Sequence, residues 1–231
     1  MRKALLLLLA LVGCSSDSTK TVDAAPPVDT AATAPLALDC NTYCTHLAAD
    51  CTGTNAQISM ANCMGTCAAF PLGTQADQSG NTLGCRNYHL QNIEVRNMPA
   101  TLHCPHTGPV GGLIADPSMA TVCGTSACDD WCAMQTKVCG TDAAPVTVAG
   151  TVITNRYTDL AACKAACTGF TKTPEANTTV QSGNNFACRI YHLTNAAAQT
   201  TAANVNAHCG HTLVSKTTAP DNSAIVGPCF Q

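Results

Sequence analysis

Large rings are scarce in this chain: aromatics make up 4% of it, with one Trp, four Phe and four Tyr. Charged residues are also few, at 11%. An interior built from so few rings must rely on Ala, Leu, Val and Met, and so needs help from elsewhere. The longest apolar run, residues 4–12, is far short of the ~20 residues that a helix needs to cross a bilayer, which excludes a transmembrane helix. No Gly-x-Ser-x-Gly nucleophile setting occurs. No glycine-rich phosphate loop follows a strand pattern, and Gly111-Gly112 reads as plain loop. There is no Cys-x2-Cys pair of the zinc-ribbon kind and no Cys-x2-Cys-His for covalent haem. Eleven basic residues, less Arg2 and Lys3, stand against fourteen acids, a balance near −5, so nucleic acid is not an expected partner.

What is present begins with Met1-Arg2-Lys3, a short positive segment, followed by the apolar run and then Leu11-Val12-Gly13-Cys14. Charge, length and spacing match an export signal, which is removed and excluded from the fold. The last four residues resemble the lipobox of bacterial lipoproteins. That resemblance implies a signal peptide over residues 1–13, a diacylglyceryl group on Cys14, and cleavage before it. Ser15, rather than Asp, implies sorting to the outer membrane by the same resemblance. Several acyl chains at about 0.8 kcal/mol per buried CH₂ make a stable anchor without a spanning helix. The expected address is the cell envelope, at a membrane surface. Residues 15–38 are rich in Ser, Thr, Asp, Ala and Pro, contain no aromatic, and read as a disordered tether. As a coil this segment would hold the folded part roughly 25 to 30 Å from the lipid.

Cysteine is the abundant exception to the light composition, with seventeen residues. Setting Cys14 aside leaves two sets of eight: Cys40, Cys44, Cys51, Cys63, Cys67, Cys85, Cys104 and Cys123, then Cys128, Cys132, Cys139, Cys163, Cys167, Cys188, Cys209 and Cys229. Successive separations are 4, 7, 12, 4, 18, 19, 19 and 4, 7, 24, 4, 21, 21, 20, so only the third connection changes much in length. Other residues recur between them. Gln78-Ser79-Gly80-Asn81 matches Gln181-Ser182-Gly183-Asn184, and Cys85-Arg86-Asn87-Tyr88-His89-Leu90 matches Cys188-Arg189-Ile190-Tyr191-His192-Leu193. His103-Cys104-Pro105-His106 matches His208-Cys209-Gly210-His211. The chain is thus an internal duplication, with repeat one at residues 39–124 and repeat two at 125–231. Even cysteine counts in an exported chain read as disulfides, four per repeat, each worth about 2 to 4 kcal/mol.

Asp39 and Ser126 are placed to cap a first helix in each repeat, with Cys40, Cys44 and Cys51 at i, i+4 and i+11 on one face. Ser59, and Thr158 or Asp159, are placed to cap a second helix carrying another i, i+4 cysteine pair. Two antiparallel helices with cysteines ~6 Å apart along each axis can be joined by two rungs. That favours Cys40–Cys67 with Cys44–Cys63, and Cys128–Cys167 with Cys132–Cys163. These four cysteines resemble the disulfide-linked hairpin of small plant α-hairpin peptides, which implies scaffold geometry and no function. Asn81 and Asn184 are expected to cap a third helix, followed by a Gly/Pro-rich segment. Residues 146–153 suggest a small β-hairpin around Gly150. Eight cysteines allow 105 pairings, so the remaining bridges stay open. The expected class is mainly α: two tandem, small, disulfide-rich helical domains with long loops.

Chemistry-bearing residues concentrate in the histidines. Six of seven recur, namely His89, His103 and His106 with His192, His208 and His211; His46 has Met134 in its place. His103 and His106 flank a half-buried cysteine on what reads as a short loop, and proximity of Cys85 to Cys104 would bring all three rings together. Three imidazoles suit zinc or copper, with an open fourth position. Rings diverging by more than ~8 Å would exclude that, because zinc–nitrogen bonds are ~2.0–2.1 Å. The competing reading makes them structural, bonding terminal carbonyls and buried amides. Arg86 and Arg189 point to carbonyl or ion-pair contacts, Tyr88 and Tyr191 to core rings with surface hydroxyls, and Tyr43 and Trp131 to equivalent core positions. No carboxylate recurs beside the histidines, so catalysis, with its metal-dependent form the weaker alternative, is not expected. The sequence favours a non-enzymatic lipoprotein whose two modules bind a protein or glycan ligand, with copper or zinc capture as the alternative.

Overall fold

Asp39 accepts the amide of Thr42 at 2.8 Å and starts helix α1, Cys40–Asp50. Ser59 precedes α2, Met60–Ala68. The two helices form a hairpin closed by Cys40–Cys67 and Cys44–Cys63. Repeat two builds the same unit from α5, Ala127–Cys139, capped by Ser126, and α6, Leu160–Thr168, capped by Asp159. Its rungs are Cys128–Cys167 and Cys132–Cys163. All four rungs are the ones that the i, i+4 spacing favours. The structure is a computed structural model and describes residues 34–115, 121–214 and 227–230. The lipobox, Cys14 and the tether up to residue 33 lie outside the described residues.

A second hairpin comes next in each repeat. In repeat one it comprises α3, Leu83–Glu94, and α4, Ala100–Thr107; in repeat two, α7, Phe186–Ala198, and α8, Ala202–His211. Cys51–Cys104 and Cys139–Cys209 fasten the first hairpin to the second. Cys85–Cys123 and Cys188–Cys229 fasten a returning segment to α3 and α7. Every bridge stays within its own repeat. Eight helices and one antiparallel pair, β1 (Thr147–Val148) with β2 (Thr151–Val152), make the described residues mainly helical. The strand pair turns through Ala149 and Gly150, both at positive φ, as the valine-rich stretch suggests.

Four expectations differ in detail. The caps of α3 and α7 are Thr82 and Asn185, one residue later than Asn81 and Asn184; Asn184 instead accepts from Arg189 Nη2 at 2.9 Å. Cys51 is not inside the first helix, since α1 stops at Asp50 while α5 continues through Cys139. The fourth helix replaces an expected loop: α4 forms in spite of Pro105, within its last turn. Finally, residues 34–38 of the expected tether run along α3 and the loop before it, where side-chain amides of Gln91 and Asn87 on the helix and of Gln75 in the loop donate to the carbonyls of Ala34, Ala37 and Leu36. Leu36 also packs on the repeat-one core, which gives this stretch an apolar contact as well.

Both repeats lie in one compact unit, Ala34–Gln231. Repeat one has a core around Tyr43, Leu47, Phe70 and Leu90. The larger core of repeat two, centred on Trp131, also takes in Ala69, Val110 and Ile114 from repeat one. Helices α2 and α7 cross closely because Gly65 has no side chain: a Cβ there would sit 2.2 Å from the carbonyl oxygen of Ala197.

Candidate metal centres

The geometry of the second hairpin decides where the histidines go. His89 lies on α3 and His192 on α7, one helical turn after Cys85 and Cys188, whose bridges hold these helices inward. His103 and His106 lie on α4, and His208 and His211 on α8, so each pair is spaced i, i+3 on one helix face rather than on a loop. Cys104 and Cys209 between them are fully buried, bonded to Cys51 and Cys139; Cys85 is bonded to Cys123, not to Cys104.

Arg86 and Arg189 set the separation of the two helices. Each guanidinium is buried and works as a carbonyl clamp. Arg86 donates to Gly108, Thr82 and Pro109 oxygens at 3.1, 3.0 and 3.3 Å. Arg189 donates to Leu213 and Asn185 oxygens at 3.4 and 2.9 Å. The clamp therefore ties the start of α3 or α7 to the segment leaving α4 or α8. Each cation also stacks on a ring, Arg86 over Phe70 at 3.8 Å and Arg189 over Phe170 at 4.1 Å.

In this frame all three rings of each repeat converge. In repeat two, His192 Nδ1 lies 3.0 Å from His208 Nδ1 and 3.2 Å from His211 Nδ1. The ligating atoms of these three residues are all within 4.8 Å of one another. In repeat one, His89 Nδ1 lies 2.9 Å from His103 Nδ1, and ring centroids are separated by 5.2, 4.7 and 6.2 Å. The corresponding separations in repeat two are 5.3, 4.5 and 5.9 Å, so the ring packing is duplicated along with the cysteines, while among the described residues only the repeat-two trio brings a ligand atom of each histidine within 4.8 Å of the others.

Proton placement makes these clusters suitable for a cation. His192 Nε2 lies 3.2 Å from the Gln181 carbonyl oxygen, which can only accept. The proton of neutral His192 therefore belongs on Nε2, and its Nδ1 lone pair faces the cluster. That lone pair is approached by two further Nδ1 atoms and can take a hydrogen from one. A metal ion takes all three. In repeat one the Gln78 backbone lies near His89, but His89 Nε2 is buried without a hydrogen-bond partner, as is His106 Nδ1, near which lies the backbone of Gly111. Outer contacts like that of His192 orient metal-binding imidazoles in general. Burial, reinforced by the neighbouring imidazoles, pushes His89 down to about 3 and His192 to about 4. His106, His208 and His211 are lowered chiefly by burial too. These five rings are neutral at neutral pH, the state in which imidazole binds a metal.

The Gln-Ser-Gly-Asn motif, without an assigned role in the sequence, thus supplies in repeat two the carbonyl that orients the first histidine of the cluster. His46 stands apart: its Nδ1 is 2.8 Å from Glu94 Oε2, with Asp50 beside them, a partly exposed group without a counterpart in repeat two. Tyr88 and Tyr191 pack edge-on against His89 and His192 at 5.3 and 5.2 Å. No curated protein and no solved structure matches the chain. Residues 15–118, which hold the first histidine cluster, are similar to the family described as BfoA family C-terminal domain.

Proposed function

We propose that this is an exported, lipid-anchored protein of the cell envelope that binds one copper or zinc ion in each repeat, without catalysing a reaction. The convergence of three imidazole nitrogens in repeat two, where His192 Nδ1 lies 3.0 and 3.2 Å from those of His208 and His211, carries the metal reading over the plain binding module. Tetrahedral ligands at ~2.0–2.1 Å from an ion stand about 3.3 Å from each other, so the repeat-two cluster needs only a small expansion, while in repeat one His106 must also turn toward the His89–His103 pair. His89, His103 and His106 would hold one ion, and His192, His208 and His211 the other. A Lewis-acidic ion supplies charge to polarise water or a ligand at its fourth position. Against turnover stands the composition of the surroundings: a backbone carbonyl orients His192, and the recurring residues beside the rings include no carboxylate to act as a base. The lipobox at Leu11-Val12-Gly13-Cys14, together with eight disulfides, supports export and anchoring in an oxidising compartment.

Metal analysis of the oxidised protein after dialysis against zinc or copper(II) tests this reading. About two equivalents are expected, one in His89→Ala or His192→Ala, and none in the double variant. Circular dichroism and the absence of free thiols establish that each variant is folded. A folded wild-type protein that retains no metal sinks the proposal. The anchor is checked separately, by mass spectrometry of the membrane fraction for an acylated Cys14; an unacylated first residue overturns it.

A further inference from the structure

The outer rung of each helical hairpin joins a half-buried cysteine at the start of one helix to a buried cysteine near the end of the next: Cys40 to Cys67 in repeat one, Cys128 to Cys167 in repeat two. The two rungs differ in what lies against them. Beyond the second cysteine, repeat two places Lys172 where repeat one has Leu72, an exposed apolar side chain. Lys172 Nζ lies 3.5 Å from Cys128 Sγ and 3.6 Å from Cys167 Sγ, and it also donates to the Cys167 carbonyl oxygen. The ring of Phe186, its centroid 4.2 Å away, holds the ammonium there; the counterpart of Phe186 in repeat one is Leu83, which has no ring to offer. Burial, and then the charge of Arg189, push Lys172 down to about 8, which leaves it mostly cationic at neutral pH. The carbonyl bond alone would account for a lysine at the end of α6. An ammonium set against both sulfurs of a bridge does more, because it favours a thiolate there.

We propose that Cys128–Cys167 is a thiol-exchange site, where a low-molecular-weight thiol forms a mixed disulfide on Cys128 while Lys172 stabilises the departing sulfur of Cys167. The incoming thiolate attacks Cys128 Sγ, since Cys128 is half-buried and Cys167 fully buried. A new S–S bond forms to Cys128, the Cys128–Cys167 bond breaks, and its electron pair passes to Cys167 Sγ as a thiolate beside the ammonium. A second thiolate then attacks the small-thiol sulfur of the mixed disulfide and releases Cys128. In sum, two small thiols are oxidised to one disulfide, and the bridge is reduced to two cysteine thiols that take up the two protons. Exchange runs faster the more readily the leaving thiolate forms, so the rung with a lysine on its sulfurs outpaces the one without. The inner rung Cys132–Cys163 and the Cys139–Cys209 bridge keep α5 in place, so exchange opens only the outer end of the hairpin and is reversible.

The test is a timed exposure of the folded, fully oxidised protein to reduced glutathione, with new thiols alkylated at intervals and each cysteine assigned by peptide mass spectrometry. Cys128 and Cys167 should open first, roughly five- to tenfold faster than Cys40 and Cys67, with the glutathione adduct on Cys128. Lys172→Met should slow this rung to the rate of Cys40–Cys67, and Lys172→Arg should restore most of the difference. The direction separates charge from packing: a variant that merely loosens the hairpin exposes the bridge and opens it faster, whereas loss of the ammonium opens it more slowly. Another bridge opening first, an adduct on Cys167, or an unchanged or faster rate in Lys172→Met overturns the proposal. Should Lys172→Met fail to fold, the order of opening and the position of the adduct in the wild-type protein decide the matter.

Discussion

The repeats reach one arrangement by different routes. In repeat one, Tyr43 of α1 is fully buried and its hydroxyl donates to the Thr107 carbonyl, at 2.7 Å, where α4 ends. The equivalent position in repeat two is Trp131, which has no hydroxyl and packs edge-on against Tyr157, Phe170 and Phe186. There the end of α8 is held by Tyr157, from the longer third connection, whose hydroxyl donates to the Thr212 carbonyl at 3.0 Å. The two tyrosines even face the two buried arginines alike, Tyr43 near Arg86 and Tyr157 near Arg189. What is preserved between the copies is the anchoring of a carbonyl beside the histidine helix, not the residue that does it. The extra length of the third connection in repeat two thus has a role: it carries the β1–β2 pair and delivers the replacement tyrosine.

Removing a bridge tests this equivalence most severely. Cys51–Cys104 and Cys139–Cys209 span 53 and 70 residues and do the same work in each repeat. In the chain-entropy account, replacing either pair by alanines costs about 4 kcal/mol, with only a few tenths between them. Chemical denaturation of the two double variants measures both. A difference above about 2 kcal/mol would show that the repeats do not depend on this staple equally.

The next effect falls on the contact between the copies. Gly65→Ala forces a methyl group against the Ala197 carbonyl, so α2 and α7 must move apart, at a cost of about 1 to 3 kcal/mol. Thermal unfolding should show the loss while zinc stoichiometry stays at the wild-type value, since neither cluster touches this crossing.

A pH effect is expected from Asp130, which belongs to repeat two but lies near Arg86 of repeat one. Burial pushes its carboxyl up to about 6. A raised acid is penalised when ionised, so this group costs nothing below its unfolded value near 3.8 and its full penalty above 6. Its contribution to stability therefore falls as pH rises from about 4 to about 6.5. Asp130→Asn removes that slope, measured as a difference in melting temperature between the two pH values; an unchanged slope refutes the assignment.

Much of this architecture can be read from the sequence because cysteine spacing carries geometry. Two i, i+4 pairs on capped helices specify the hairpin rungs Cys40–Cys67 and Cys44–Cys63 with little freedom. The three recurring histidines are legible as a set, but their convergence is not, because it depends on α4 and α8. Pro105 and Gly210 inside His-Cys-x-His argue locally against a helix. Tertiary context overrides them, through the Cys104 and Cys209 bridges and the arginine clamps. The caps at Thr82 and Asn185 escape by one residue, since Asn184 is occupied by Arg189. Nor does a single chain reveal that Tyr157 takes over from a residue more than a hundred positions earlier.

The smallest effect tests that substitution directly. Tyr43→Phe and Tyr157→Phe each leave a buried carbonyl without its donor, at about 1 to 2 kcal/mol. If the two routes are interchangeable, a hydroxyl restored at the equivalent position of α5 should reach Thr212. Trp131→Tyr should then cost less in the Tyr157→Phe background than in the wild type, where the carbonyl is already held. The double-mutant cycle should return a favourable coupling of roughly 1 kcal/mol. Strictly additive costs would mean that α5 no longer places residue 131 within reach of α8, so that the longer connection replaced the tyrosine because the helix had already moved away from it.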